Sequence, residues 1–197
     1  MWQDLLSVRS LELVQPMHGG MRGGRPRPLP PVAKPGPAEL NAAEEALGVT
    51  LPASYRAFCI ELGPGTLRDH IRIYAPCPEI PLVDLVRYGE HWREFDDSHR
   101  HGESWWRAYS FPVNDLVTFA DTMGGDVFGF HPKEPTAGDE YAIYCIPREP
   151  DLGPVIELER VAESFPGFLE AEAFNPRLVD APLTWEPFGA VPKRPRR

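Results

Sequence analysis

Two short apolar stripes of helical period, each closed by a glycine, stand just ahead of a run of two-residue alternation, and this order limits what the chain can fold into. Leu40, Ala43 and Leu47 fall at i, i+3 and i+7, on one face of a helix. Pro37 suits its first turn, Glu39 suits the positive helix end, and Gly48 closes it. A second helix is expected from Pro52, with Tyr55, Phe58, Cys59 and Leu62 as its stripe, capped by Gly63 and stopped by Pro64. The period then changes. Leu67, Ile71 and Ile73 predict a strand over 67–74, and Leu82, Leu85, Val86 and Trp92 a helix over 82–96.

Residues 97–110 read as a polar and aromatic stretch. Leu116–Phe119 and Val127–Phe130 predict two strands joined through Gly124-Gly125-Asp126, the strongest hairpin signal in the chain. Further strands are expected at 141–146 and 155–158, and a closing helix over 159–174, with Pro166 in its first turns. Helices first, then a meander of strands, then a helix is an α+β pattern with an antiparallel sheet rather than an alternating βαβ one.

The flanks differ in composition. Residues 16–37 hold two glycine pairs and six prolines between Pro26 and Pro37, a stretch that cannot supply a core. It reads as a linker or an extended arm, preceded by a short amphipathic segment over 1–15. Residues 175–197 read as a coil extension that Trp185 and Phe188 could anchor. The expected organisation is therefore 1–37 as arm, 38–172 as a single domain, and 173–197 as extension.

The net charge of −9 conceals a division. Residues 1–34 carry five bases against two acids, and residues 193–197 carry four bases. The remaining body has 11 bases against 27 acids, a charge of −16. Such a body repels nucleic acid and attracts cationic partners, although acidity also serves plain solubility. No apolar run approaches the ~20 residues that a membrane helix needs, and the N-terminus lacks a basic, then apolar, leader. A cytoplasmic address is the expectation, without membrane partners. Three cysteines at wide spacing form no metal or redox motif, and Cys59 and Cys145 sit in apolar periodic segments as free thiols.

One stretch resembles a known family. Glu44-Glu45-Ala46-Leu47-Gly48-Val49-Thr50-Leu51-Pro52, followed by Tyr55 and Phe58, looks like the N-terminal signature of the SUKH superfamily (Smi/Knr type). Gly63 and Gly65 resemble its glycine turn, although Leu62-Gly63-Pro64-Gly65 stands where members often carry Asn-Gly-Gly. Leu116–Phe130, with Gly124, Gly125 and Asp126, resembles its central hairpin. Ser164-Phe165 with Phe168-Leu169 resembles its closing helix. The ordered set spans 38–172. The resemblance implies a single SUKH-like α+β domain, with a curved antiparallel (mixed) sheet flanked by helices and extended terminal arms. It further implies a protein-binding role without cofactor or catalysis, commonly as an immunity protein that neutralises a secreted toxin domain. An intracellular adaptor is the other role it implies.

His91, His99 and His101 could form a metal cluster if the last two share a strand face, but no ligand spacing recurs, and a solvated loop is the favoured reading. Gly124-Gly125-Asp126 opens no helix and lacks a following Lys or Ser/Thr, so it fails as a phosphate loop. It reads instead as a turn in which Asp126 accepts backbone N–H groups. No serine lies in a nucleophile elbow. Glu44-Glu45, Asp96-Asp97 and Asp139-Glu140 are neighbours that diverge by about 100° on a helix, so they read as solvated faces rather than acid/base pairs. No catalytic or metal residue is assigned. For partner contact the choice is Trp105 and Trp106 with the acidic rim of Glu94, Asp96, Asp97 and Glu103, since exposed tryptophans are favoured anchors. The basic tail 193–197 reads as a solubilising end.

Overall fold

The computed structural model describes residues 7–8, 32–68, 70–101, 108–109, 113–147, 155–156, 158–173 and 184–188. Helix α1 spans Pro37–Leu47 and α2 spans Ala53–Glu61. Gly48 takes φ 70° and sends its N–H back to the carbonyls of Glu44 and Glu45, which ends α1 where a side chain would be strained. Helix α3 spans Leu85–His101 and α4 spans Phe165–Ala173.

Among the described residues the strands are β1 (Ser7–Val8), β2 (Gly65–Leu67), β3 (Ile71–Ile73), β4 (Ala108–Tyr109), β5 (Val117–Thr122), β6 (Val127–Pro135), β7 (Tyr141–Ile146), β8 (Val155–Ile156), β9 (Glu159–Ala162) and β10 (Thr184–Pro187). Eight of them form one open sheet in the order β1-β10-β2-β3-β5-β6-β7-β9. All neighbours are antiparallel except β1 with β10, so the sheet is mixed at one edge only. β4 and β8 make a separate parallel pair. The α+β expectation holds, and so does the hairpin between β5 and β6.

Register divides the sheet into two faces. Ile73, Ala120, Phe128 and Cys145 lie in line across β3, β5, β6 and β7. This face meets α1, α2 and α4 in the larger core, which holds Leu40, Leu47, Phe58, Phe165 and Phe168. Tyr55, fully buried, stands edge-on to Phe119, Phe130 and Phe165 at centroid distances of 5.7, 5.0 and 5.2 Å. One residue along each strand, Arg72, Asp121, Val127 and Ile146 line up on the opposite face. There Val127 and Ile146 join Val113, Leu116 and Leu158 in a smaller core under Tyr88 and Trp92 of α3. Gly129 lies on this face because a Cβ there would stand 2.9 Å from the Cβ of Leu116.

Three expected elements are corrected. The single strand over 67–74 is a hairpin, β2 and β3, turned at Arg68 with φ 55° and closed by the His70 N–H on the Leu67 carbonyl. The closing helix begins at Phe165, and Glu159–Ala162 is instead the edge strand β9. Ser164 starts that helix by accepting the Gly167 N–H on its hydroxyl, and Pro166 sits in the first turn, where no N–H is needed. The helix expected over 82–96 starts at Leu85 and continues to His101, so 97–101 are helical rather than part of a polar loop. In the β5–β6 turn the Thr122 hydroxyl accepts the Gly125 and Asp126 N–H groups, each at 3.1 Å. The extension is not simply coil. Trp185 and Phe188 do anchor it in the larger core, and Thr184–Pro187 is a strand of the sheet.

Glu140 is also not a solvated acid. It sits at the end of the β6–β7 turn, where Gly138 and Asp139 adopt φ 76° and 58°, and is 6% exposed. One carboxylate oxygen accepts the Ser54 N–H at the start of α2, and the other accepts the Phe165 N–H at the start of α4, each at 3.0 Å. A single anion thus satisfies orphan donors at two positive helix ends. Replacing it by alanine is expected to cost about 2–4 kcal/mol in urea unfolding. Glu140→Gln, which keeps one acceptor oxygen, should lose about half of that.

Cys59 and Cys77 are buried free thiols and Cys145 is half-buried. Burial, reinforced by the charges of Glu79 and Asp84, raises the Cys77 thiol from the ordinary 9.0 to about 12. The folded state therefore keeps this proton while the unfolded chain releases it, so stability is intact below about pH 9 and lost between about 9 and 12. The urea midpoint of the wild type should fall more steeply with pH across that window than that of Cys77→Ala. Equal slopes would remove the thiol from the account.

Candidate functional site

Helix α3 is the element that joins the interior to the region chosen for partner contact. Its start is fixed by Asp84, a buried carboxylate that accepts the Cys77 N–H at 2.7 Å and the Arg87 N–H at 3.2 Å. The first bond ties down the proline-containing loop before the helix, and the second caps the helix itself. Leu85 then enters the larger core, while Tyr88 and Trp92, four residues apart, turn their rings to the opposite sheet face.

Beneath them lies a polar cluster that sequence reasoning missed. Arg72 and Asp121 are directly paired across β3 and β5, and the guanidinium donates to both carboxylate oxygens, at 2.6 and 2.7 Å. The Tyr74 and Tyr88 hydroxyls donate to the same Asp121 oxygen at 3.0 and 3.1 Å. Their rings stack at 3.9 Å and 13°, and Trp92 stands edge-on to Tyr88 at 6.4 Å. Burial, then the neighbouring Asp121 charge, holds both tyrosine hydroxyls far above their ordinary pKa. They stay protonated and donate at neutral pH. Asp121 has both oxygens occupied, so the cluster acts as a clamp between sheet and helix rather than as a general base. The available signal was a single charge inside each of two apolar strands: Arg72 between Ile71 and Ile73, and Asp121 next to Ala120.

The outer side of α3 carries Arg87, Glu90, His91 and Glu94, with Arg87 and Glu90 paired at 2.9 Å. Asp96 and Asp97 lie on the same helix as Glu94, in its C-terminal half. His99 and His101 lie on that helix, not on the strand whose face they would have shared. Among the described residues no group of three or more His, Cys, Asp or Glu is placed to hold a metal ion. Glu103, Trp105 and Trp106 lie outside the described residues.

The signature residues do meet. Leu47, Leu51, Tyr55 and Phe58 are buried together in the larger core, and Pro52 stands at the N-cap of α2. Gly63 takes φ 74° and Gly65 opens β2. Glu44 belongs to this joint. It accepts the Leu51 N–H at 2.8 Å and pairs with Arg56, which links the end of α1 to α2. Gly124, Gly125 and Asp126 form the β5–β6 turn, with Gly125 at φ 100°. Among the described residues no helix is long and apolar enough to cross a membrane.

Asp121→Asn is expected to destabilise the fold by about 3–5 kcal/mol in urea unfolding, because it leaves Arg72 half-buried without its counter-charge. Tyr74→Phe should cost about 1 kcal/mol. Replacing Arg72 and Asp121 together by apolar residues should recover much of the single-variant loss.

A search of curated proteins finds no match to the chain. Comparison with protein families finds one, to the SMI1 / KNR4 family (SUKH-1), over residues 34–171. The matched stretch takes in α1, α2, the glycine turn, the clamp under α3, the β5–β6 hairpin and the first turns of α4, with β1 and β10 outside it. With well over half of its length matched and the signature residues assembled in one core, the chain belongs to the SMI1 / KNR4 family (SUKH-1).

Proposed function

We propose that the protein is a non-enzymatic, cytoplasmic binding domain, an immunity protein that neutralises a cognate toxin domain by covering its active site or an adjoining surface. The observation that carries this reading is the family match over residues 34–171. The charge of the body, 11 bases against 27 acids, supports a basic partner such as a cationic nuclease. Complementary charge speeds encounter, and apolar anchors then slow dissociation.

The contact surface in this reading is α3 and the segment after it: Glu94, Asp96 and Asp97, then Glu103, Trp105 and Trp106. Glu94 is exposed, and the half-buried Glu90 stands one turn before it. The clamp beneath the helix supports a rigid presentation, since Tyr88 and Trp92 are fixed from within.

A second reading is an intracellular adaptor that uses the same surface on a host protein. The six prolines between Pro26 and Pro37 favour it, because such segments serve as ligands for other modules.

Co-expression with toxin domains encoded beside the gene tests the first reading, and rescue of growth is the expected result. In the rescuing pair, Glu94→Lys with Asp97→Lys should slow association about tenfold or more at low salt and flatten its salt dependence. Failure of every neighbouring toxin to be neutralised would favour the adaptor.

A further inference from the structure

The described residues on the two sides of the family match meet at one edge of the sheet. β10 seats on β2 through three residue pairs, Trp185 with Leu67, Glu186 with Thr66 and Pro187 with Gly65. β1 pairs with β10 alone among the described strands. Phe188 extends the seat by donating its N–H to the Pro64 carbonyl at 3.1 Å and accepting the Val32 N–H at 3.4 Å. Without β10, the family domain would end at β2 with an open edge beside an apolar socket.

The fit depends on side chains more than on the ladder. Trp185 is 0% exposed and meets Phe58 edge-on at 5.0 Å, and Phe188 is buried with it in the larger core. The ladder is short, and Pro187 has no N–H to give. The Trp185 indole nitrogen is buried without a hydrogen-bond partner, so the strand is held by apolar burial and carries an unsatisfied donor.

We propose that the β2 edge is a strand-acceptor site for the aromatic segment 184–188, and that it takes this segment from a second copy of the chain as well as from its own. A second copy carries the same Trp185 and Phe188, so every contact in the socket is reproduced in trans. Residues 174–183 join α4 to β10, and ten residues reach about 33–36 Å when extended. The cis strand has only the advantage of its tether, an effective concentration on the order of millimolar. Exchange between copies is therefore limited by opening of the strand and not by loss of contacts.

The test uses two full-length variants, each with one new cysteine at a position of the β2–β10 register. Thr66→Cys chains are mixed with Glu186→Cys chains in a glutathione redox buffer, and the linked peptides are identified by mass spectrometry. A 66–186 link can then form only between molecules. The expected result is that this link accumulates at least tenfold above a 159–186 link formed by Glu159→Cys chains, which place the thiol on the opposite edge strand β9. The double variant Thr66→Cys with Glu186→Cys reports whether the pair can close within one chain. Because Thr66 and Glu186 are direct register partners, absence of a 66–186 link above the control between chains would overturn the proposal. A high intermolecular link in the mixture sustains it whether or not the double variant closes.

Discussion

The carboxylate of Glu140 is the interaction on which the arrangement of layers rests. Two helices approach the larger core from the same side of the sheet, and each brings a positive, donor-rich end. Left unpartnered, those ends would cost about 2–4 kcal/mol, a large part of a domain's net stability. One anion between Ser54 and Phe165 removes both costs and fixes the spacing of α2 and α4 over the sheet. Its own position follows from a turn with two successive left-handed residues, which delivers the side chain inward. Tyr55 and its ring of phenylalanines can close only when that spacing is right.

The same device recurs. Glu44 ties α1 to α2, Asp84 ties a loop to α3, and Asp121 ties α3 to the sheet through Arg72 and two tyrosines. Three of these four carboxylates are buried, and all four accept backbone or side-chain donors. Part of the acidity that reads as surface charge is therefore internal framework. The charge offered to a partner is carried by fewer residues, among them Glu90 and Glu94 on α3, which makes the surface field more local than the composition implies.

Much of the fold was legible because burial imposes periodicity. The stripes of α1 and α2, the β5–β6 hairpin and the strand over 141–146 all follow from it. What was misread had a weak or competing signal. The β2–β3 turn uses a left-handed arginine instead of glycine, so nothing punctuates the alternation. Val161 on β9 happens to stand at helical spacing from Phe165 and Phe168, which extends an apparent helix backward through a strand. β10 is too short to show a period, and only its tryptophan hinted at burial. For the candidate site, Trp92 showed in the apolar stripe of the helix, but Tyr88 did not, and the partner that organises Tyr88 is an aspartate 33 residues away. Pairing of that kind is set by sheet register, which a single strand does not encode. The helical extension to His101 was hidden because its sequence, Asp97-Ser98-His99-Arg100-His101, offers no apolar period.

The Glu140 bridge also bears on how the chain reaches its native state. Its bonds close loops of 86 and 25 residues, and the Arg72–Asp121 pair closes one of 49. The Ser54 and Phe165 N–H groups share an acceptor that exists only once the β6–β7 turn is in place. Entropy is spent on long loops before the contacts that reward it appear, so these bonds form late and slow the approach to the native state. A newly made chain would hold its helices only provisionally, and its sheet would nucleate them rather than the reverse.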